Sequence, residues 1–237
     1  MKDQLGDRMK EFYEDRTRYA LTRKTYTIIR VDGKAFHTYT RGLEKPFDDK
    51  LMDDMDATAA YICQNIQGAK FAFVQSDEIS VLITDFDDIN TGAWFEGNLQ
   101  KMCSVSASLA TAKFNELRPG KVALFDSRVF QIPGKTEVEN YFIWRQQDTT
   151  RNSISSVAQS LYSHKELNGK NNDEKQELIF QKGINWNDYA PKYKRGRVIE
   201  KTTFEKDGAI RNKWTSIEVP VFTKEREFLS NRILNNA

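Results

Sequence analysis

The sequence contains only two cysteines, Cys63 and Cys103, among its 237 residues. Disulfide frameworks and zinc sites need several cysteines or histidines at short, regular spacings, so we expect neither. Long hydrophobic runs are missing as well, and none approaches the roughly 18–20 apolar residues that a membrane-spanning helix needs. The amino-terminal segment is charged from Lys2 onward, unlike a secretory leader. These absences predict a soluble, cytoplasmic protein with no membrane partner.

A strong net charge is also absent, because 36 Lys and Arg oppose 34 Asp and Glu. A balance of +2 neither requires nor excludes a nucleic-acid partner. The distribution is uneven, since the segment from Trp186 onward carries 11 basic and 7 acidic residues. Such a basic segment can contact a phosphate backbone, although a solvated surface is the commoner explanation.

Several well-known catalytic signatures are missing too. The sequence has no Ser-His-Asp arrangement, no Walker-type glycine loop and no Rossmann fingerprint. Its only histidines are His37 and His164, and His164 lies at a predicted helix end, where a cation suits the helix dipole. Cys63 has no obvious base beside it, so we expect it to pack rather than react.

Apolar residues are plentiful enough for a sizeable core. They make up 39% of the chain and include 15 Phe, 9 Tyr and 4 Trp, which excludes wholesale disorder. The length fits one large domain, or a core domain with a smaller appendage. The best candidate boundary is Pro133-Gly134, which predicts one domain over residues 1–134 and a second over residues 135–237.

Hydrophobic periodicity predicts an α+β arrangement in the first domain. The predicted elements are an amphipathic helix before residue 23, a strand over 26–31, a helix over 48–68, strands over 71–74 and 79–84, a helix over 94–117, and strands over 122–125 and 129–132. Strand, helix, strand, tight turn and strand form the first half of a ferredoxin-like unit. We therefore expect an antiparallel sheet layered with helices.

The second domain is predicted to be mainly helical. Helices are indicated over residues 138–163 and 174–180, with a polar loop at 168–173 between them. Residues 188–237 predict irregular strands.

Two aspartates, Asp32 and Asp77, each lie at the end of a predicted strand, next to a residue that suits a tight turn. In a ferredoxin-like unit the first strand neighbours the hairpin of the next two, so the strand ends can bring both carboxylates together. Convergent carboxylates suit hard ions such as Mg²⁺, and a pair of such ions supports phosphoryl transfer. The alternative is an ordinary turn at each position, which the pattern alone favours.

Neighbouring residues extend this candidate site. Gly33 has no Cβ and lets a phosphate approach the backbone, and Lys45 precedes a helix start, where a cation could meet a triphosphate. Ser76 could contact a phosphate and Glu78 could orient a ligand or a basic side chain, or both could simply solvate a turn. The aromatic neighbours of His37, Phe36 and Tyr39, could stack on a base, although aromatic side chains are more often core.

Taken together and in order, several motifs resemble those of the tRNA-histidine guanylyltransferase family. Residues 30–37 (RVDGKAFH) resemble its first metal-binding motif, residues 45–48 (KPFD) its Lys-Pro-Asn-Asp element, and residues 75–80 (QSDEIS) its second acidic motif. The similarity continues at residues 125–128 (FDSR), 141–146 (YFIWRQ), 174–180 (EKQELIF) and 191–196 (PKYKRG). Each match is weak alone, but the ordered set is specific and favours the acidic site over ordinary turns.

The resemblance implies a palm-like catalytic domain at residues 1–134 and a helical, basic region at 135–237 for tRNA binding and oligomer contacts, in a homo-oligomer such as a tetramer. It also implies two Mg²⁺ ions held by Asp32, Asp77 and the Gly33 carbonyl, with Lys45 as a further catalytic residue. The substrates implied are tRNA, ATP, GTP and other nucleoside triphosphates. The positions that match the family's nucleotide-binding residues are Asp32, Gly33, Lys34, Ala35, Phe36, His37, Lys45, Ser76, Asp77, Lys101, Lys175 and Asn185.

The chemistry implied is ATP activation of an RNA 5′-monophosphate, followed by attack of the 3′-hydroxyl of an incoming nucleoside triphosphate on the activated end. A 5′-triphosphate end needs no activation. The sequence departs from the eukaryotic enzymes in two places. Residues 149–154 (TTRNSI) have no histidine where those enzymes carry a His-Ile-Asn-Asn-type motif, and Asn98 stands nearest to an arginine expected before Lys101.

These departures favour the guanylyltransferase-like 3′-to-5′ polymerases of bacterial and archaeal type, which restore missing 5′ nucleotides of tRNA by templated addition. One alternative is guanylation specific to tRNA-His. An alternative from another class is a non-catalytic RNA-binding module, which the intact acidic pair disfavours.

Overall fold

The computed structural model describes residues 4–234 and is built around one six-stranded antiparallel sheet. Its strands are β1 (Tyr26–Gly33), β2 (Ala69–Gln75), β3 (Glu78–Ile83), β4 (Phe125–Ile132), β5 (Arg197–Lys206) and β6 (Ala209–Glu218). The strand order across the sheet is β4-β1-β3-β2-β5-β6. The predicted α+β class is therefore confirmed.

The α-helices lie on both faces and at one end of this sheet. They are α1 (Gln4–Met9), α2 (Phe36–Tyr39), α3 (Asp49–Asn65), α4 (Leu99–Leu117), α5 (Lys135–Leu161), α6 (His164–Leu167), α7 (Asn172–Gln181), α8 (Pro191–Arg195) and α9 (Glu227–Ser230). A π turn (Lys10–Glu14) and a 3₁₀ turn (Asp15–Thr17) continue α1, and further 3₁₀ turns occur at Trp94–Gly97 and Trp186–Asp188.

The succession β1-α3-β2-β3-α4-β4 is a complete ferredoxin-like unit, with the short α2 inserted after β1. Capping residues begin its two long helices. The Asp48 Oδ1 accepts a hydrogen bond from the Leu51 amide at 2.7 Å, and the Asn98 Oδ1 accepts one from the Lys101 amide at 3.0 Å. Each cap satisfies an amide that has no partner inside its helix.

The two faces of the sheet are covered by different helices. Ile29 and Val31 of β1 pack with α3 and α4 in one apolar cluster, whereas Tyr26 and Ile28 pack with α5 in another. This division follows from the alternation of side chains along a strand. Because both faces are buried, β3 has no exposed position, and its sequence EISVLI lacks the usual polar alternation.

The carboxy-terminal half of the chain contributes to the same sheet. Strand β5 pairs with β2, with Val198 opposite Phe73, and the first half of α5 buries Val138 and Phe142 against the sheet. The second half of α5 forms a separate cluster with α6 and α7, which also receives Phe47. The division at residues 134 and 135 stays a prediction, since the sheet includes strands from both sides of it.

Two predicted elements differ from the structure. The predicted strand over residues 122–125 does not form, because the ladder with β1 ends at the pair of Gly33 and Phe125 and only one further backbone hydrogen bond follows, from the Lys34 amide to the Leu124 carbonyl oxygen at 2.8 Å. Val122 and Leu124 are accordingly exposed. The predicted helix over 94–117 is interrupted at Asn98, after Phe95 and Glu96 adopt positive φ angles of 50° and 55°. Within residues 4–234, no helix is both long and apolar enough to cross a membrane.

Candidate catalytic cleft

The structure brings Asp32 and Asp77 together at one end of the sheet. Asp32 lies near the end of β1, with Glu78 as its register partner on β3, and Asp77 occupies the β2–β3 turn. The Gly33 amide donates a hydrogen bond to the Asp77 carbonyl oxygen at 3.2 Å. Both aspartates line a cleft of about 430 Å³, together with Gln75.

The environment of Asp77 makes its negative charge costly. Burial, together with the nearby charges of Asp32 and Glu78, raises the pKa of the Asp77 carboxyl group to about 6. A hydrogen bond of 2.9 Å from the Ser76 hydroxyl to the Asp77 Oδ1 opposes this increase. A bound cation would relieve the same cost, because it compensates the carboxylate charge that burial disfavours.

The donor set at this end of the sheet fits a Mg²⁺ site. Asp32 and Asp77 supply the hard oxygen ligands that this ion prefers. Among residues 4–234, no group of three or more His, Cys, Asp or Glu side chains is arranged to hold a metal ion. The remaining ligands would therefore be backbone carbonyls, water or substrate phosphates, which is the usual situation for Mg²⁺.

The close packing of Phe36 against the backbone leaves no room for a side chain at position 33, so this position requires glycine. A Cβ added at Gly33 would lie 2.2 Å from the Phe36 Cδ2, so any side chain would displace the ring. Phe36 itself is buried and packs with Tyr39, Phe114 and Phe125. The rings of Phe36 and Tyr39 are thus core side chains rather than exposed stacking surfaces. Residues 33–37 can offer a ligand their backbone and the exposed side chains at positions 34 and 37.

Glu78 is not free to join the two aspartates. Its carboxylate accepts hydrogen bonds from the Arg145 Nε at 2.8 Å and Nη2 at 2.7 Å. The same Nη2 also donates to the Asp148 Oδ2 at 2.8 Å. The sequence suggested that Glu78 could orient a ligand or a basic side chain. In the structure it orients a basic side chain, that of Arg145.

Two charged residues at this site were given no role in the sequence analysis. Asp126 of β4 lies opposite Asp32 in the register. The Arg128 Nη2 lies 3.8 Å from the Asp32 Oδ2 and 3.7 Å from the Asp126 Oδ1. Both belong to the FDSR motif at residues 125–128, and only the strand pairing of β4 with β1 places them beside Asp32.

Lys45 lines a second cavity of about 190 Å³ that adjoins the first. Ser76 and Asn152 border both cavities. On α5, the wall of the second cavity is formed by the hydroxyl and amide side chains of Thr149, Asn152, Ser153 and Ser156. A cation, a hydroxyl group and an amide in neighbouring positions suit a polyphosphate.

The other predicted nucleotide-binding residues lie outside both cavities. Lys101 is exposed at the start of α4, with its Nζ 5.8 Å from the centre of the Phe95 ring. Lys175 lines a separate basic cleft with Arg41, His164 and Lys170. Asn185 caps the Trp186–Asp188 turn by accepting a hydrogen bond from the Asn187 amide at 3.0 Å, and it lines a further cavity next to Asp173.

The basic segment at residues 192–197 is largely engaged within the protein. Lys192 forms an ion pair of 2.7 Å with Asp49, and Arg197 forms one of 2.7 Å with Asp56. Lys194 is buried, and its ammonium group donates to the Asn187 carbonyl. These contacts give the segment a packing role, so the basic cleft around Lys175 is the better candidate for contacts to a phosphate backbone.

Comparison with known proteins identifies relatives of this chain. The family model described as tRNAHis guanylyltransferase matches residues 6–133. A bacterial tRNA-His guanylyltransferase-like protein, solved in complex with ATP, is 46% identical with a TM-score of 0.86, and the match covers 97% of this chain and 99% of that chain. Its complex with GTP gives the same values.

More distant relatives include eukaryotic enzymes. The tRNA-His guanylyltransferase of Eremothecium gossypii is 28% identical over 202 residues, which cover 75% of this chain and 83% of that protein. The structure of the tRNA-His guanylyltransferase from Saccharomyces cerevisiae is 24% identical, with a TM-score of 0.67 over 91% of this chain, and it shares the fold.

Proposed function

Because this chain belongs to the tRNA-His guanylyltransferase family of nucleotidyltransferases, we propose that it adds nucleotides to the 5′ end of 5′-truncated tRNA. In this proposal, synthesis runs in the 3′-to-5′ direction, and each added nucleotide pairs with the opposite strand of the acceptor stem. The observation that carries the proposal is the approach of Asp32 and Asp77 at the end of β1 and the β2–β3 turn.

We assign two Mg²⁺ ions to Asp32, Asp77 and the Gly33 carbonyl. The raised pKa of the Asp77 carboxyl group supports a cation at this position, because a cation offsets the burial of its charge. When bound, such ions activate an attacking hydroxyl group and stabilise the charge of a leaving group in phosphoryl transfer. The chain's own part is to hold the two carboxylates in fixed positions through the pairing of β1 with β3.

The nucleoside triphosphate is assigned to residues 32–37 and to the adjoining cavity. The bacterial relative is described in complex with ATP and with GTP, which supports both as substrates of this chain. Lys45 and Ser76 border the cavity beside Asp77, so they are placed to contact phosphate oxygens. Further contacts to substrate phosphates are assigned to Lys101, Lys175 and Asn185. Because these residues lie outside the two cavities, we expect them to contact the RNA backbone rather than the incoming nucleotide.

Two steps follow for an RNA that ends in a 5′-monophosphate. The terminal phosphate first attacks the α-phosphorus of ATP, which forms a 5′-adenylylated end and releases pyrophosphate. The 3′-hydroxyl of the incoming nucleoside triphosphate then attacks the phosphorus that is bonded to the 5′ oxygen of the RNA, and AMP leaves. An RNA that ends in a 5′-triphosphate enters directly at the second step and releases pyrophosphate.

Base pairing is proposed to select the nucleotide. The wall formed by Thr149, Asn152 and Ser153 carries short side chains and no histidine. Protein contacts would then recognise the shape and phosphates of the acceptor stem, as is common for double-stranded RNA. Residues 135–237 are proposed to supply those contacts and the contacts of a homo-tetramer.

The test uses purified protein, Mg²⁺, all four nucleoside triphosphates and 5′-truncated tRNAs. Substrates with 5′-monophosphate and 5′-triphosphate ends are compared, the base opposite the missing position is varied, and the 5′ products are sequenced. We expect the added nucleotide to follow the opposing base, and we expect ATP to be required only for monophosphate ends.

Two other results would replace this proposal. Addition of G whatever the opposing base, confined to tRNA-His, would identify guanylation specific to tRNA-His. No addition to either kind of end, with RNA binding retained, would identify a binding module.

A further inference from the structure

Trp144 is an exposed aromatic side chain in the wall of the catalytic cleft. All four tryptophans lie within residues 4–234, and Trp144 is the most exposed of them, with 47% of its surface accessible. It lines the same cleft as Asp32 and Asp77. An indole of this exposure lacks the apolar burial that usually stabilises the residue, so a binding role is a natural explanation.

The indole is held in place by a buried ionic network. The Arg145 guanidinium carbon lies 4.4 Å from the centre of the Trp144 ring, and Tyr141 makes an edge contact at 5.9 Å between ring centres. Arg145 is buried and fixed by its paired hydrogen bonds to Glu78. The ring is therefore oriented before any ligand binds, which lowers the entropy cost of stacking.

The charges around Trp144 favour a base over a phosphate. Four carboxylates line this cleft, from Asp32, Asp77, Glu78 and Asp148, against two arginines. Of those arginines, Arg145 is already paired with Glu78 and Asp148. Arg145, the cation in contact with the indole, is therefore not available to a phosphate group, whereas a neutral, planar base needs no cation.

Trp144 and the proposed nucleotide loop approach the two aspartates from opposite faces of the sheet. The loop at residues 33–37 is anchored through Phe36, which packs with Phe114 of α4. Trp144 belongs to α5, which covers the other face. Trp144 does not line the adjoining cavity of Lys45. A nucleoside triphosphate held by the loop and by that cavity would therefore leave the Trp144 side of the cleft to the second substrate, which is the RNA end.

We propose that Trp144 forms a stacking subsite for the terminal base of the RNA end that receives the nucleotide. The inference rests on the proposed function, because it takes the RNA end as the second substrate. A helix end exposes one flat base-pair surface to solvent, and an indole placed there covers it. Stacking of this kind does not discriminate between bases, so the subsite suits an enzyme in which pairing selects the nucleotide.

Steady-state kinetics tests the subsite. Trp144→Ala is expected to raise KM for truncated tRNA about 5- to 150-fold, the range known for removal of one base–aromatic stack, and to leave KM for the nucleoside triphosphate unchanged. Trp144→Phe is expected to retain most of the affinity. The matched control is Phe12→Ala, which removes an aromatic ring of 52% exposure that lines neither of the two cavities. An increase confined to KM for the triphosphate would overturn the assignment to RNA.

A binding measurement separates this inference from the proposed function. A minihelix carries 2-aminopurine as its terminal base, and the fluorescence of this base is quenched when it stacks. The wild-type protein and Trp144→Phe are expected to quench it, and Trp144→Ala is expected to bind the RNA without quenching it. Equal quenching by Trp144→Ala would refute the subsite even if nucleotide addition is normal. Quenching by the wild type without any nucleotide addition would refute the proposed function and leave the stacking subsite standing.

Discussion

The Gly33 amide donates a hydrogen bond to the Asp77 carbonyl oxygen at 3.2 Å and thereby ties the end of β1 to the β2–β3 turn. This bond continues the pairing of Asp32 with Glu78 by one more residue. The backbone, and not a side-chain contact, therefore sets the relative position of the two aspartates. Substitution of either carboxylate should consequently leave the fold of the cleft unchanged.

Replacement of either aspartate is the first prediction. Asp32→Ala and Asp77→Ala should each lower kcat for nucleotide addition by roughly 1000-fold or more, since metal ligation contributes several kcal/mol to the transition state. Circular dichroism and the affinity for tRNA should stay close to those of the wild type. The control is Asp53→Asn, an exposed carboxylate on α3, which should keep full activity. Retained activity in either alanine variant would remove the two-metal assignment.

The second prediction concerns stability without metal. The pKa of the Asp77 carboxyl group is raised to about 6 in the folded chain, above its ordinary value of 3.8. Its ionisation therefore opposes folding. This cost is absent below the ordinary pKa of 3.8, grows as pH rises from there to about 6, and is complete above about 6. In EDTA at about pH 7.5, Asp77→Asn should raise the free energy of unfolding by about 1–3 kcal/mol.

Denaturant unfolding at two pH values checks this expectation. The gain from Asp77→Asn should shrink strongly at about pH 4.5, because the wild-type carboxyl group is then mostly protonated in the folded state. Added Mg²⁺ should stabilise the wild type and have less effect on the variant. An equal gain at both pH values would mean that a change in packing, and not the charge, is responsible.

The third prediction concerns contacts to the RNA backbone. The cleft lined by Arg41, His164, Lys170 and Lys175 has no acidic residue in its wall. The double variant with Lys170→Gln and Lys175→Gln should weaken tRNA binding, and the slope of log K against log salt should fall by about 0.7–0.9 for each phosphate that is no longer neutralised. Fluorescence anisotropy over a range of salt concentrations measures both quantities.

The control for this prediction is Lys192→Gln. Lys192 is already paired with Asp49 at 2.7 Å, so its replacement should leave the salt slope nearly unchanged. If Lys192→Gln lowers the slope and the double variant does not, the RNA backbone follows the basic segment at residues 192–197 instead of the cleft.

The sequence predicted the ferredoxin-like unit well because its signals are local. The apolar runs of β1, β2 and β3 are each contained within a few residues. The closeness of Asp32 and Asp77 follows from the same order of elements. Their roles as metal ligands remain a proposal, which the family resemblance supports more strongly than the spacing does.

Contacts between distant segments could not be predicted in this way. The pairing of β5 with β2 joins residues more than a hundred positions apart, and no periodicity indicates it. The basic segment at residues 192–197 suggested contacts to RNA, but partners on α3, Asp49 and Asp56, neutralise two of its cations. Trp144 lay inside a recognised motif, yet only its exposure in the folded chain distinguishes it from a core residue.

The last prediction concerns the buried pair of Glu78 and Arg145. Arg145 is almost fully buried and makes two hydrogen bonds to the Glu78 carboxylate, at 2.8 and 2.7 Å. Arg145→Met should lower the free energy of unfolding by about 3–5 kcal/mol, because it leaves a buried carboxylate without its partner. Adding Glu78→Gln should restore much of this stability, since the uncompensated charge is then removed. Denaturant unfolding of the two single variants and the double variant gives the coupling energy between the residues.

If the loss of stability in the double variant equals the sum of the losses in the two single variants, the pair acts through packing. If it regains stability but still binds the RNA end poorly, the ion pair's main contribution is to orient Trp144.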